Sequence, residues 1–117
     1  MKIYTFVKET GKHVTQFDSD FVMSRIVVTD SETRIGCMHL GTAGVIGGHV
    51  AAADQLLLIV SGKGKVSGQE NEWVDVHSGD AVYWQVSEWH ETRSETGMTA
   101  IVVEAEELYP GRFMNVK

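Results

Sequence analysis

The sequence contains twelve glycines but only one proline, and the glycines separate short runs of β-branched and aromatic residues. Glycine supplies the backbone conformations that tight turns need, whereas valine, isoleucine, threonine and aromatic residues favour strands. Closely spaced short strands are typical of a β-barrel or β-sandwich, so the pattern predicts an all-β antiparallel fold. The predicted strands are Ile3–Val7, Val22–Thr29, Arg34–Leu40, Val45–Val50, Gln55–Ser61, Lys65–Ser67, Trp73–Val76, Ala81–Trp84, His90–Ser94 and Met98–Glu104.

Helices play a minor part in this prediction. The best candidates are a turn around His13–Asp20 and the segment Glu104–Tyr109, which Pro110 would end. Neither segment is long enough to organise a fold. The last residues, Gly111–Lys117, are predicted to form a loosely held tail.

Length and composition indicate a single domain. A chain of 117 residues fits one hydrophobic core, and its 43% apolar content excludes intrinsic disorder. We expect one domain over 1–117, with N-terminal strands and loops at 1–33, a barrel core at 34–104 and a C-terminal tail at 105–117.

Charge and cysteine content limit the partners. Sixteen acidic against ten basic residues give a net charge of −6, the wrong sign for a protein that neutralises phosphates, so no nucleic acid partner is expected. Cys37 is the single cysteine, which excludes an intrachain disulfide. No apolar run approaches the length of a membrane span. We therefore expect a cytoplasmic protein with no membrane association.

The strand Gln55–Ser61 is apolar on both alternating faces. Leu57 and Ile59 share one face, and the other carries Leu56, Leu58 and Val60, so both faces need a cover. In so small a protein the second cover is either another chain or the N-terminal strands of the same chain. We favour a homodimer built on this face, because closed dimers are common.

Two segments carry glycine and histidine at a distinctive spacing. The first runs from Gly44 to Gly62 and contains His49, and the second runs from Gly79 and contains His90. In that order they resemble the two conserved motifs of the cupins, which are small β-barrels. The resemblance extends over roughly residues 34 to 104 and implies a single antiparallel barrel of the jelly-roll type.

The resemblance also implies a metal site, from which this sequence departs. In cupins a divalent metal is usually held by two histidines and a glutamate of the first motif and a histidine of the second. Here Ala51 and Gln55 stand at two of those positions, leaving His49 and His90 as strong ligands. Because a neutral amide in place of a carboxylate removes a negative charge, we expect weak or no binding of Zn, Ni, Fe or Mn by His49, Gln55 and His90.

The residues themselves also predict a pocket. His49, Gln55 and His90 stand at the ends of predicted strands, so a barrel that gathers these ends places two imidazoles and an amide around one cavity mouth. Nearby aromatic residues either extend that pocket or belong to ordinary packing. They are Tyr83, Trp84 and Trp89.

A further donor is an open alternative. Cys37 and His39 share a face of one predicted strand, and His39 could supply the metal ligand that Ala51 lacks. The competing interpretation is that His39 is a satisfied barrel histidine and Cys37 a small core residue, and we favour it because a Cys-x-His pair alone is a weak signal.

These observations support three functions. The first is a small-molecule-binding cupin with weak or no metal and an unidentified ligand. The second is a metal-dependent enzyme, dioxygenase-like or isomerase-like, that uses His49, Gln55 and His90, with His39 as an optional fourth ligand. The third is a metal-free enzyme with His90 as general acid or base, or a purely structural dimer.

Overall fold

The computed structural model describes all 117 residues and contains eleven β-strands and no α-helix. No segment forms a helix long and apolar enough to cross a membrane. Three short 3-10 turns lie at Lys8–Thr10, Gln16–Asp18 and Pro110–Arg112. The strands are β1 Lys2–Thr5, β2 Lys12–Val14, β3 Phe21–Met23, β4 Thr33–Leu40, β5 Gly44–Val50, β6 Asp54–Ser67, β7 Trp73–His77, β8 Asp80–Trp84, β9 Trp89–Ser94, β10 Met98–Ala105 and β11 Asn115–Val116.

Every strand pairing is antiparallel, which gives the predicted all-β, jelly-roll type of architecture. One layer has the strand order β11-β1-β8-β6-β10-β4, and the second contains β5, β9, β7 and the far half of β6. The long strand β6 therefore belongs to both layers. It replaces the two predicted strands Gln55–Ser61 and Lys65–Ser67, and Gly62 within it has φ +81°. A side chain at Gly62 would collide with the Gly97 carbonyl, so this crossing requires glycine.

Between the layers lies the interior, filled by a buried apolar cluster. Leu57 and Ile59 from the first half of β6 join Val66 from its second half. Val82 of β8 and Val102 of β10 complete the cross-strand packing of the same cluster. Because residues of both layers share one cluster, the interior is the hydrophobic core that alternation on β6 predicts.

The other face of β6 is covered by the chain itself. Leu56 and Leu58 belong to a second buried cluster, here called the outer cluster, together with Tyr4, Leu108 and Met114. Burial of both faces is therefore confirmed, but the prediction that a second chain covers Leu56 and Leu58 is wrong, because the termini occupy that face. Val60, the third residue of the predicted dimer face, is half exposed. The homodimer remains a prediction, but Leu56 and Leu58 do not form its interface.

Two predicted elements are wrong. The strand Val22–Thr29 stops at Met23, where β3 pairs only with β2, and Ile26 and Val27 leave this hairpin to pack against the outer cluster. The helix Glu104–Tyr109 does not form, because β10 continues through Glu104 and pairs with β4 on one side and β6 on the other. In both segments tertiary contacts outweigh local propensity.

The C-terminal tail is docked, which corrects the prediction of a loose segment. Leu108 is only 3% exposed, and Met114 is buried beside it in the outer cluster. The backbone N–H of Lys117 donates a hydrogen bond to the Ile3 carbonyl at 2.9 Å. The tail thus completes the hydrophobic cover of β6.

Leu108→Ala is expected to lower the free energy of unfolding by about 2–4 kcal/mol, because it removes a buried side chain from the outer cluster. The adjacent Tyr109→Ala, at a half-exposed residue, is the control and is expected to cost less than about 1 kcal/mol. Urea unfolding of both variants gives the comparison. Equal small losses would mean that the tail contributes little to stability.

Candidate functional site

Several strands begin or end at one end of the interior, and polar side chains gather there. Strand β5 ends beside the start of β9, and His49 pairs with His90 across these strands. The two imidazole rings have centroids 4.3 Å apart and planes inclined by 58°. The start of β6 lies at the same end, next to the ends of β8 and β10. We call this region the polar end and define it by Arg34, His49, Gln55, His90 and Glu104.

The polar end includes one cross-strand row. Gln55 pairs with Trp84 on one side and with Glu104 on the other, and Glu104 pairs in turn with Arg34. Paired residues of neighbouring strands point to the same side of a sheet, and Trp84 belongs to the interior cluster. Gln55, which is 7% exposed, therefore faces the interior. Glu104 lies on the same face, half-buried, and Arg34 is exposed at the rim.

Arg34 and Glu104 were not singled out by the sequence analysis. A signal for Glu104 was present, because alternation along Met98–Glu104 places its side chain on the face that carries Ala100 and Val102. A carboxylate at the end of an otherwise apolar inward face marks a polar opening. The identity of its neighbours, however, depends on pairing between strands distant in the chain.

His90 is the most deeply buried polar residue of the polar end, at 2% exposure. Its Nδ1 lies 3.3 Å from the Glu88 carbonyl oxygen. A carbonyl can only accept a hydrogen bond, so Nδ1 carries the proton and Nε2 presents a lone pair. That Nε2 atom has no hydrogen-bond partner, while the ring packs against the Trp84 indole at a centroid distance of 4.8 Å. Trp84 is itself anchored by its Nε1–H, which donates to the Ser67 carbonyl at 3.2 Å.

Burial lowers the pKa of His90 below its ordinary value, and the neighbouring His49 lowers it further. The hydrogen bond to the Glu88 carbonyl and the charges of Glu88 and Glu104 oppose this change, but desolvation is the largest effect. The ring is therefore neutral at neutral pH, and its buried Nε2 atom can act as a hydrogen-bond acceptor or a base.

A cavity of about 420 Å³ adjoins the polar end through Arg34 and Glu104, while His49, Gln55 and His90 lie outside its lining. Its lining includes Arg34 and Glu104, together with Glu32 and Glu106. Carboxylates outnumber guanidinium groups on these walls by three to one. A second cavity of about 290 Å³ lies between Met1 and Glu72 and contains none of the residues that the sequence predicts for the site.

Three predicted residues lie away from the polar end. Tyr83 is on the opposite face of β8 from Trp84, where its hydroxyl donates to Asp54 Oδ2 at 2.7 Å, so the prediction that it lines the same pocket is wrong. Burial, followed by this hydrogen bond, raises the pKa of Tyr83. Trp89 alternates with His90 on β9 and packs its indole against Gly48, outside the interior.

His39 also lies outside the interior. Its strand neighbour Met38 packs against the interior cluster, so alternation turns His39 to the outer face, where both His39 and Cys37 are exposed. This arrangement contradicts the alternative in which His39 completes a metal shell. Because both side chains are exposed, the interpretation of Cys37 as a core residue is also wrong.

The residues present do not fit a resident divalent metal. His49 and His90 offer one Nε2 each, since the Nδ1 of His49 lies 2.7 Å from the Gly47 carbonyl and the Nδ1 of His90 faces that of Glu88. No group of three or more His, Cys, Asp or Glu side chains is arranged to hold a metal ion. The amide of Gln55 is a neutral and weak third donor.

Comparison with known proteins identifies similar chains. A family model described as Cupin domain matches residues 37–105, more than half of the chain. None of the curated proteins matches it in sequence.

Solved structures share the fold at low sequence identity. A cupin superfamily protein from Desulfitobacterium hafniense has a TM-score of 0.61 and 12% identity, covering 73% of this chain and 77% of its own. An RmlC-like cupin from Shewanella frigidimarina has a TM-score of 0.61 and 15% identity, covering 68% and 70%. A predicted oxalate decarboxylase from Thermotoga maritima has a TM-score of 0.55 and 19% identity, covering 59% and 62%. These likenesses concern the fold alone.

Proposed function

The chain belongs to the cupin family, and on that premise we propose that it binds a small organic molecule at the polar end without a resident metal. The observation that carries this proposal is the Nε2 atom of His90, buried and without a hydrogen-bond partner. An unpaired buried polar atom costs about 1–3 kcal/mol, and such groups are uncommon in native proteins outside functional sites. A ligand that donates a hydrogen bond to Nε2 recovers this free energy.

The surroundings of His90 support orientation of a ligand. Its ring is held between the His49 ring and the Trp84 indole, and its tautomer is set by the Glu88 carbonyl. Gln55 adds an amide that can donate and accept on the same interior face. Groups held by strands and packed neighbours are preorganised, which reduces the entropy lost on binding.

A metal-dependent enzyme is less well supported. The Thermotoga maritima protein is described as a predicted oxalate decarboxylase, but an activity of that kind is not transferred by a shared fold. The donor set of two neutral imidazoles and an amide is poor for a divalent ion. A catalytic role for His90 as a base is compatible with its neutral ring, although no reacting partner is identified.

The proposal is tested by an NMR fragment screen on isotope-labelled protein freed of metal with a chelator. We expect at least one compound to shift the signals of Gln55, Trp84 and His90 together. His90→Phe, which keeps a ring in place but removes Nε2, is expected to weaken that binding about tenfold or more. His39→Phe is the matched control on the outer face and is expected to leave affinity unchanged.

Two outcomes would contradict the proposal. If the native protein and His90→Phe bound the compound with equal affinity, Nε2 would have no part in its recognition. Stoichiometric Zn²⁺ that resists the chelator would instead favour the metal-dependent function.

A further inference from the structure

We propose that the ligand of the polar end is a small organic cation carrying N–H donors, such as an amine, an amidine or a guanidine. This inference rests on the proposed function and narrows its ligand to one chemical class. Two separate properties of the site support it. The first is the acceptor character of its buried hydrogen-bonding groups, and the second is the charge of the adjoining cavity.

The buried His90 and the half-buried Glu104 of the polar end are hydrogen-bond acceptors, whereas the donor Arg34 lies exposed at the rim. Nδ1 of His49 lies 2.7 Å from the Gly47 carbonyl, so its proton, like that of His90, is on Nδ1. Nε2 of His90 therefore presents a lone pair, and the carboxylate of Glu104 adds further acceptors. Lone pairs facing a ligand require donors on that ligand, because an opposing acceptor would leave both groups unpaired. A carboxylate ligand would meet both the His90 lone pair and the Glu104 carboxylate.

The charge of the cavity favours a cation. Glu32, Glu104 and Glu106 line it, against the single guanidinium of Arg34. That guanidinium already lies 4.0 Å from the Glu32 carboxylate, which offsets part of its charge. The remaining carboxylates give these walls a negative potential, which attracts a positive ligand.

The separation of the acceptors favours a molecule over a single ion. No three of the histidine and acidic side chains are close enough to hold a metal ion, although His49, His90 and Glu104 share one end of the interior. A ligand with several N–H groups can span acceptors that one ion cannot reach together. The adjoining space of about 420 Å³ is within the range of small-molecule pockets.

Benzamidine and benzoate provide a matched pair of probes with similar shape and opposite charge. Each is titrated into labelled, metal-free protein while the amide signals of Gln55, His90 and Glu104 are followed by NMR. We expect benzamidine to shift these signals and to bind about tenfold or more tightly than benzoate, as a charge-assisted hydrogen bond implies.

Variants locate the source of this preference. Glu104→Gln is expected to weaken benzamidine about tenfold, and Glu106→Gln, at an exposed position on the same cavity, to weaken it less. Glu95→Gln removes the same charge from an exposed turn at the other end of the strands and is expected to change nothing.

The outcomes separate this inference from the proposed function. Benzoate binding at the same residues as tightly as benzamidine would overturn the cation class while leaving small-molecule binding intact. If benzamidine did not shift the signals of these residues, the inference would also be overturned. A third outcome is that neither probe shifts these signals, while one equivalent of Zn²⁺ shifts the signals of His49 and His90. That result would overturn both the inference and the proposed function.

Discussion

Replacing Gln55 with glutamate and Ala51 with histidine is expected to raise the affinity for Zn²⁺ or Ni²⁺ by about 100-fold or more, equivalent to about 2.7 kcal/mol. The first change adds a negative charge beside the cation, and the second adds an imidazole. In the native protein, as isolated, we expect less than one metal per chain. His90→Ala is expected to abolish whatever metal does bind.

The two positions differ in how readily they accept these changes. Gln55 lies at the start of β6 on the interior face, where glutamate has nearly the same shape. Ala51 is 4% exposed, and its backbone is hydrogen-bonded to Glu88 and Ser87, so a histidine there must find space. For that reason Gln55→Glu alone is the second variant, with an expected gain of about tenfold.

Competition with a chromogenic chelator measures these affinities on folded protein. Gln85→Glu is the control, because it introduces the same charge at an exposed loop position outside the interior. If Gln55→Glu bound metal no better than Gln85→Glu, the missing carboxylate would not be what limits metal binding at this site.

Asp54→Ala is expected to lower the free energy of unfolding by about 4 kcal/mol, one of the larger effects available to a single substitution here. The Asp54 carboxylate is 8% exposed and accepts three hydrogen bonds from separate segments. Oδ2 accepts from the Tyr83 hydroxyl at 2.7 Å and from the Leu108 N–H at 3.1 Å, and Oδ1 accepts from the Val86 N–H at 3.0 Å. Alanine would leave all three donors without this partner.

Thermal and urea unfolding check this expectation. Asp75→Ala removes an exposed carboxylate from β7 and is expected to change stability by less than about 0.5 kcal/mol. Tyr83→Phe removes only one of the three donors and is expected to cost about 1 kcal/mol. A loss for Asp54→Ala no larger than that for Tyr83→Phe would mean that water replaces the carboxylate at Val86 and Leu108.

Alternation along single strands explains which of the predicted residues share a face and which do not. It correctly placed Leu57 and Ile59 on one face of β6 and correctly grouped Cys37 with His39. Applied to neighbours in sequence, it also separates Tyr83 from Trp84, which the predicted pocket had placed together. Proximity along the chain was mistaken there for proximity in space.

The sequence by itself determined the fold class and the family, and it identified His49 and His90 as the two histidines of the candidate site. Glycine turns, β-branched runs and the spacing around His49 and His90 are local properties, and they survive in any arrangement of the strands. The sequence also shows that Ala51 and Gln55 depart from the cupin motif. The usual metal donors are therefore missing at these two positions.

Only the tertiary structure decided which groups meet. Arg34, Gln55 and Glu104 come from strands far apart in the chain, and their row depends on a register set by pairing along β4, β10 and β6. A shift of one residue would turn each of these side chains to the opposite face. Packing likewise decided that the termini cover Leu56 and Leu58, because burial of apolar area depends on which segments can reach that face and not on the strand alone.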